Sequence, residues 1–93
     1  MPLVLNGPHG TITVPDAVLV GIATRAAESV DGLRVRKRRS VDAEARTVRL
    51  ELTAARGEAL VAQGERAQEA VASALMRTCS LDVAVDLTFE ELT

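Results

Sequence analysis

The chain has 93 residues, of which 47% are hydrophobic and 26% are charged, and its formal net charge is -2. These values are typical of one small globular domain, which leaves little room for an enclosed active site. Phe89 is the only aromatic residue, so the chain cannot offer a base-stacking platform to single-stranded nucleic acid. Cys79 is the only cysteine, which excludes an internal disulfide and a CxxC metal or redox motif.

Targeting and membrane signals are missing from the sequence. The longest apolar runs fall well short of the roughly 20 residues that a membrane-spanning helix needs. The amino-terminal segment MPLVLNGPHG lacks the basic start and the long apolar core of a secretory signal. We therefore expect a cytoplasmic protein.

Changes in hydrophobic period divide the chain into predicted elements. The alternation in GTITV predicts a first strand. Apolar residues at helical spacing from 19 to 30 predict an amphipathic helix after it. We interpret residues 1–9 as an N-terminal extension and residues 10–93 as a single domain.

The rest of the chain contains three predicted strands and one predicted helix. Alternating apolar and basic residues over 33–36 predict a strand that runs into a polar turn, KRRSVDAEA. The segment 47–53 alternates more regularly and completes a hairpin. Helical spacing over 60–78 predicts a second helix, and strict alternation over 81–89 predicts the last strand.

The predicted order is therefore β-α-β-β-α-β, with one apolar face on each strand and one apolar stripe on each helix. An α+β two-layer sandwich satisfies this pattern, with both helices packed on one face of a four-stranded sheet. The pattern leaves the strand order open, and a ferredoxin-like arrangement is the commonest solution. The other face of the sheet should be exposed or covered by a partner, and it carries charges of both signs.

The residue types that perform catalysis are isolated in this sequence. His9 is the only histidine and lies in the turn-forming segment NGPHG, without a second ligand or nucleophile beside it. Cys79 is expected to be a small buried hydrophobic residue. Asp82 and Asp86 are four residues apart in the chain, which is two positions apart along one face of a strand, and this is typical of solvated carboxylates. We expect no catalytic residue, cofactor site, metal site or small-molecule substrate, and we predict that the protein is not an enzyme.

One segment, RVRKRRS at 34–40, concentrates positive charge. The candidate partner-binding residues are the cations of this segment and one cation of the next strand, namely Arg34, Arg36, Lys37, Arg38, Arg39 and Arg49. Alternation places Arg34, Arg36 and Arg49 on the uncovered face of the sheet, whereas residues 37–39 should lie in the turn.

Two interpretations of the basic segment remain open. Positive side chains bind phosphates, so RNA, DNA or anionic lipid could be the partner, and an acidic protein is an equally good candidate. Alternatively the segment is a solvated hairpin, because Asp42, Glu44 and Glu51 are close enough in sequence to neutralise part of its charge.

Two short motifs resemble those of a known family. The strand GTITV and the following GIATRAAESVDGL match a G-x-I-x-[IV] strand, a helix containing I-A and a V-x-G-[VL] step. Later, Arg56-Gly57 precedes RAQEAV, where that family has Tyr-Gly and then V-Q-x-x-V. On these motifs the chain resembles the alkaline shock proteins, also called envelope stress response proteins, of Gram-positive and related bacteria. Arg56 replaces the tyrosine of the family, and Asp86 replaces an asparagine in its last strand.

The resemblance implies a cytoplasmic domain without known catalysis, linked to cell-envelope homeostasis. In some members of the family a separate anchor protein holds the domain at the membrane. We therefore expect a non-enzymatic scaffold protein that self-associates and binds protein partners, with a membrane-anchored protein as one candidate. A small core and an uncovered sheet face favour association with a second copy. The alternative is a small nucleic-acid-binding module that uses residues 34–39.

Overall fold

A computed structural model describes residues 2–54 and 59–92, with side chains as far as residue 90 in the last strand. The elements in chain order are β1 (Leu3–Gly7), β2 (Gly10–Val14), α1 (Asp16–Glu28), β3 (Leu33–Asp42), β4 (Thr47–Ala54), α2 (Leu60–Cys79) and β5 (Ala84–Leu92). The Arg56-Gly57 pair, on which part of the family resemblance depends, lies outside the described residues.

The α+β class with two helices is confirmed, but the single four-stranded sheet and the order β-α-β-β-α-β are wrong. The strands form two sheets, one with two strands and one with three. The predicted first strand, β2, pairs antiparallel with β1, from Leu3 opposite Val14 to Gly7 opposite Gly10. Because only two residues separate β1 from β2, the nearest partner is local, and Gly10 takes the positive φ of 132° that closes the hairpin. Most of the predicted N-terminal extension is therefore a strand.

The three-stranded sheet has the order β3-β4-β5. β3 runs antiparallel to β4, to which it is joined by a short turn. β5 runs parallel to β4, and α2 makes the connection between them, as a parallel pair requires. β4 is thus the central strand, and β3 and β5 are the edges.

Both helices share one core with a single face of the central strand. Val48, Leu50 and Leu52 of β4 are at most 2% exposed. They belong to the same cluster as buried residues of the helices, namely Leu19, Ala23, Ala27, Ala67, Val71 and Leu75. We call this side of the sheet the covered face. Neither helix of the described chain is both long enough and apolar enough to cross a membrane.

The opposite side of the sheet is not packed by either helix, and we call it the open face. Its side chains belong to alternate strand positions and to an irregular part of β3. They are Arg34, Arg36, Lys37, Arg38, Ser40 and Asp42 from β3, Thr47, Arg49, Glu51 and Thr53 from β4, and Asp86, Thr88 and Glu90 from β5. Arg39 lies opposite the buried Leu50, so the register directs its side chain to the covered side at the edge of the sheet, although the residue also lines a groove of the open face.

A buried polar contact ties the second helix to the turn before β3. Gln63, near the start of α2, is only 1% exposed. Its Nε2 donates a hydrogen bond of 2.8 Å to the backbone carbonyl of Asp31. Because a buried amide is costly without a partner, this bond fixes where the amino-terminal end of α2 lies against the α1–β3 turn.

Candidate functional site

The basic segment lies within a strand and not at its end. Residues 37–39 were predicted in the turn, but β3 continues to Asp42 and the turn occupies 43–46. The reason is that Val41 is 5% exposed and pairs with the fully buried Val48, so the core extends beyond the basic run. The prediction for residues 37–39 is therefore wrong.

The pairing of β3 with β4 is interrupted where the cations are densest. On β4, Leu50 and Leu52 are separated by one residue, Glu51, whereas their partners Arg39 and Val35 are separated by three. β3 thus carries two residues more than its partner at this point, which is a special β-bulge, larger than the usual one-residue insertion. We call the three residues between these two register positions the basic bulge, and they are Arg36, Lys37 and Arg38.

Two carboxylates approach the basic bulge from the neighbouring strands. The Arg38 Nη1 atom lies 3.8 Å from Glu51 Oε1 on β4, and the Arg36 Nε atom lies 3.8 Å from Glu90 Oε2 on β5. The Arg38 side chain is 85% exposed, so solvent screens its ion pair and the pair contributes little to folding stability. The contacts orient the two arginines over the sheet, while Arg38 remains accessible to a partner.

The two carboxyl groups also interact with each other. The pKa of Glu51 is raised above its ordinary value of 4.5, chiefly because its carboxyl hydrogen-bonds with Glu90. Partial desolvation and the negative charge of Glu90 act in the same direction, whereas Arg38 and Arg36 oppose the shift. Glu51 therefore keeps its proton to a higher pH than an isolated glutamate, and it offsets less of the surrounding positive charge while protonated.

The remaining cations converge on a groove beside the bulge. Lys37, Arg39 and Arg49 form no ion pair with any carboxylate in the described part of the chain. A groove of about 650 Å³ lies between β3 and β5, and we call it the anion groove. Its lining includes four cations, two hydroxyls and two carboxylates, namely Lys37, Arg38, Arg39, Arg49, Ser40, Thr88, Glu51 and Asp86.

The structure thus brings most of the predicted partner-binding residues together. Four of the six line the anion groove, and Arg36 lines an adjoining groove with Glu90. Arg34 lies further along β3, opposite Thr53. Sequence analysis missed Glu90 as a member of the site, and it missed the bulge that turns the cations toward the groove.

The charges on the open face are divided by strand. Its β3 charges are positive except for Asp42 at the end of the strand, and its described β5 charges, Asp86 and Glu90, are both negative. β4 contributes one of each, Arg49 and Glu51. Five positive side chains, Arg34, Arg36, Lys37, Arg38 and Arg49, therefore accompany four described carboxylates, Asp42, Glu51, Asp86 and Glu90, which gives the open face an excess of one positive charge at neutral pH.

Neither a metal site nor a related protein assigns a function to this surface. Within residues 2–54 and 59–92, no group of three or more His, Cys, Asp or Glu side chains is placed to hold a metal ion. Comparisons with protein-family models, curated proteins and solved structures gave no match. The function is therefore inferred from the open face and from the motifs described above.

Proposed function

We propose that the protein is a non-enzymatic scaffold, of the kind that its resemblance to alkaline shock proteins implies, and that it self-associates through the open face. The observation that carries this proposal is the division of charge by strand, with a basic β3 and an acidic β5. A surface that carries both signs in separate strips can be complementary to a second copy of itself.

Pairing at the edges of the sheet is a weaker route to self-association. On β3, the backbone N–H of Val35 already donates a 3.0 Å hydrogen bond to Glu28 Oε2 of α1. On β5, the Val85 carbonyl accepts a 2.9 Å hydrogen bond from Gln68 Nε2 of α2. The bulge and the like charges along β3 also disfavour addition of another strand. Both edges are thus partly blocked, and the open face is the larger free surface.

The charge pattern favours one of two symmetric ways to stack the open faces. A twofold axis parallel to the strands places β3 of one copy over β5 of the other, so opposite charges meet. An axis in the same plane but perpendicular to the strands places β3 over β3, so cations meet cations. Sheets that pack face to face keep their strands within about 30° of each other, which is compatible with the first arrangement. We propose a closed dimer of that kind.

Charge exchange between the strips tests this arrangement. The β3 strip of the open face carries four cations and Asp42, so Arg36→Glu with Arg38→Glu changes its net charge from +3 to −1 and makes both strips acidic. Asp86→Lys with Glu90→Lys makes both strips basic. We expect each double variant to be monomeric by size-exclusion chromatography with light scattering, and an equimolar mixture of the two to form a heterodimer. The chain that carries all four substitutions should dimerise again, because its strips remain complementary.

A control separates complementarity from general charge effects. The variant with four substitutions should not form a heterodimer with the wild-type chain, because like charges then face each other. Circular dichroism checks that every variant is folded. A wild-type chain that stays monomeric at high micromolar concentration contradicts the proposal, as does a double variant that dimerises like the wild type.

The biological setting in this proposal comes from the resemblance alone. A scaffold of this family would act in the cytoplasm in support of the cell envelope, and a membrane-anchored protein would be a candidate partner. Co-purification of the chain with the membrane fraction of its host, lost when the open face is altered, tests that part of the proposal.

A second candidate function is supported by the positive excess of the open face. Lys37 and Arg39 are exposed and lack ion pairs within the described residues, so they are available to the phosphates of RNA or DNA. A nucleic-acid-binding module would show affinity that falls steeply with added salt and is lost on Arg36→Ala with Arg38→Ala. Absence of binding at low salt removes this candidate.

A further inference from the structure

The match between two open faces is incomplete, because each face carries one more positive than negative charge among its described side chains, and its cations are concentrated in the anion groove. From the groups that line the anion groove, we infer that the groove binds an anion of the phosphate class. In one respect this inference rests on the proposed function: the groove lies within the proposed dimer interface, so the bound anion would also promote assembly.

The hydrogen-bond donors that line the groove suit an anion of the phosphate class. Cations reach it from two strands, and Ser40 lies directly opposite Arg49 in the β3–β4 register. Thr88 lies opposite Glu51 in the β4–β5 register and supplies a second hydroxyl. Guanidinium groups donate paired hydrogen bonds to phosphate oxygens, and hydroxyls can donate to the oxygens that remain.

The electrostatic balance of the groove also favours an anion. Lys37, Arg39 and Arg49 have no ion-pair partner among the described side chains. Asp86 and Glu51 are the carboxylates of the groove, and Glu51 shares its hydrogen bond with Glu90. Four cations and two carboxylates therefore line the same groove. Because Lys37, Arg39 and Arg49 are not held in ion pairs, a phosphate group can bind them without first displacing a carboxylate.

Binding is tested at a protein concentration low enough for the chain to be monomeric. Isothermal titration calorimetry with pyrophosphate, and separately with inorganic phosphate, is performed at a constant ionic strength set with chloride. We expect Lys37→Ser with Arg49→Ser to weaken pyrophosphate binding by at least about tenfold, since hydrogen bonds to charged groups contribute most to such sites.

A matched control is available on the opposite side of the molecule. Arg25 of α1 and Arg66 of α2 are exposed and line a groove between the two helices. Arg25→Ser with Arg66→Ser removes the same amount of positive charge from a surface outside the open face. Unchanged pyrophosphate binding in this control supports the anion groove. Equal loss in both double variants, or no binding to the wild type, overturns the inference.

Assembly is measured separately, so that the two proposals can fail independently. Light scattering at high protein concentration, with and without pyrophosphate, reports the dimer. Pyrophosphate binding without any dimer supports the groove and contradicts self-association. A dimer in a chain that binds no pyrophosphate supports self-association and overturns the groove. A short RNA that binds more tightly than pyrophosphate, and that loses this binding when the groove cations are replaced, would support the groove. The natural phosphate ligand would then be nucleic acid.

Discussion

The two faces of the three-stranded sheet are built from the same strands and differ in almost every other property. On β4, Leu50 and Leu52 are at most 2% exposed, whereas Glu51 between them meets a charged groove. Because successive strand residues point to opposite sides, one strand can serve both surfaces. The comparison indicates that folding stability depends on the covered face, and the proposed function assigns partner binding to the open face. Substitutions on the two faces should therefore have separable effects.

The largest effect is expected from the covered face. Leu52→Ala removes a fully buried side chain and leaves a cavity, so the free energy of unfolding should fall by about 2–5 kcal/mol. Arg49→Ala on the same strand should change it by no more than about 0.5 kcal/mol, because that side chain is exposed. Urea denaturation of both variants measures the difference. Similar losses in the two variants would contradict the division between the faces.

The same comparison explains what the sequence could and could not predict about β3. Its inward positions are Leu33 and Val35 at one end and Val41 at the other, all at odd numbers. A bulge of two extra residues preserves this parity, so alternation alone cannot reveal it. Lys37 and Arg39 interrupt the apolar series, and the interruption was interpreted as a turn when the strand in fact continues. The open face was predicted, but the shape of its groove was not.

The sheet assignment failed for a different physical reason. Alternation in GTITV correctly predicts a strand, yet it carries no information about the partner of that strand. The segment Leu3–Gly7 also alternates in burial. Because a turn of only two residues joins it to β2, it pairs with β2 more readily than a strand from a distant part of the chain. The helices and the regular strand β4 were predictable because period and burial agree throughout them, whereas pairing between separate elements depends on tertiary packing.

A smaller loss is expected from the buried amide on the covered side. Gln63→Ala removes the hydrogen bond to the Asp31 carbonyl and leaves that carbonyl without its side-chain donor, so we expect a loss of about 1–3 kcal/mol. Gln68→Ala removes a comparable bond to the Val85 carbonyl from an exposed side chain, where water can replace the donor. Thermal denaturation should therefore show a larger decrease in Tm for Gln63→Ala. The reverse order would show that the edge contact contributes more than the buried one.

A substitution just after the carboxyl end of α2 is expected to increase the stability of the fold slightly. α2 ends at Ser80, whose φ is 52°, and the Leu81 N–H bonds to the Leu75 carbonyl at 3.2 Å. A left-handed conformation strains a residue with a Cβ by roughly 1–2 kcal/mol, and glycine would remove this strain. Glycine also has greater conformational freedom in the unfolded chain, which offsets about half of that gain. Ser80→Gly should thus stabilise the fold by up to about 1 kcal/mol in urea denaturation. Ser73→Gly, within α2, should instead destabilise it by about 0.5 kcal/mol.

The smallest effect is expected on the open face, and it depends on pH. Because the pKa of Glu51 is raised in the folded chain, the folded state binds more protons than the unfolded state just above pH 4.5. The contribution of Glu51 to stability is therefore fully present below that pH and is lost as the pH rises through the folded pKa. Glu51→Gln cannot titrate, so the denaturation midpoint of the wild type should decline relative to this variant over that window. Glu44→Gln, in the exposed β3–β4 turn, is the matched control. Parallel profiles for the wild type and Glu51→Gln would mean that folding leaves the pKa of Glu51 unchanged, which would contradict the hydrogen bond between Glu51 and Glu90 as the cause of a raised pKa.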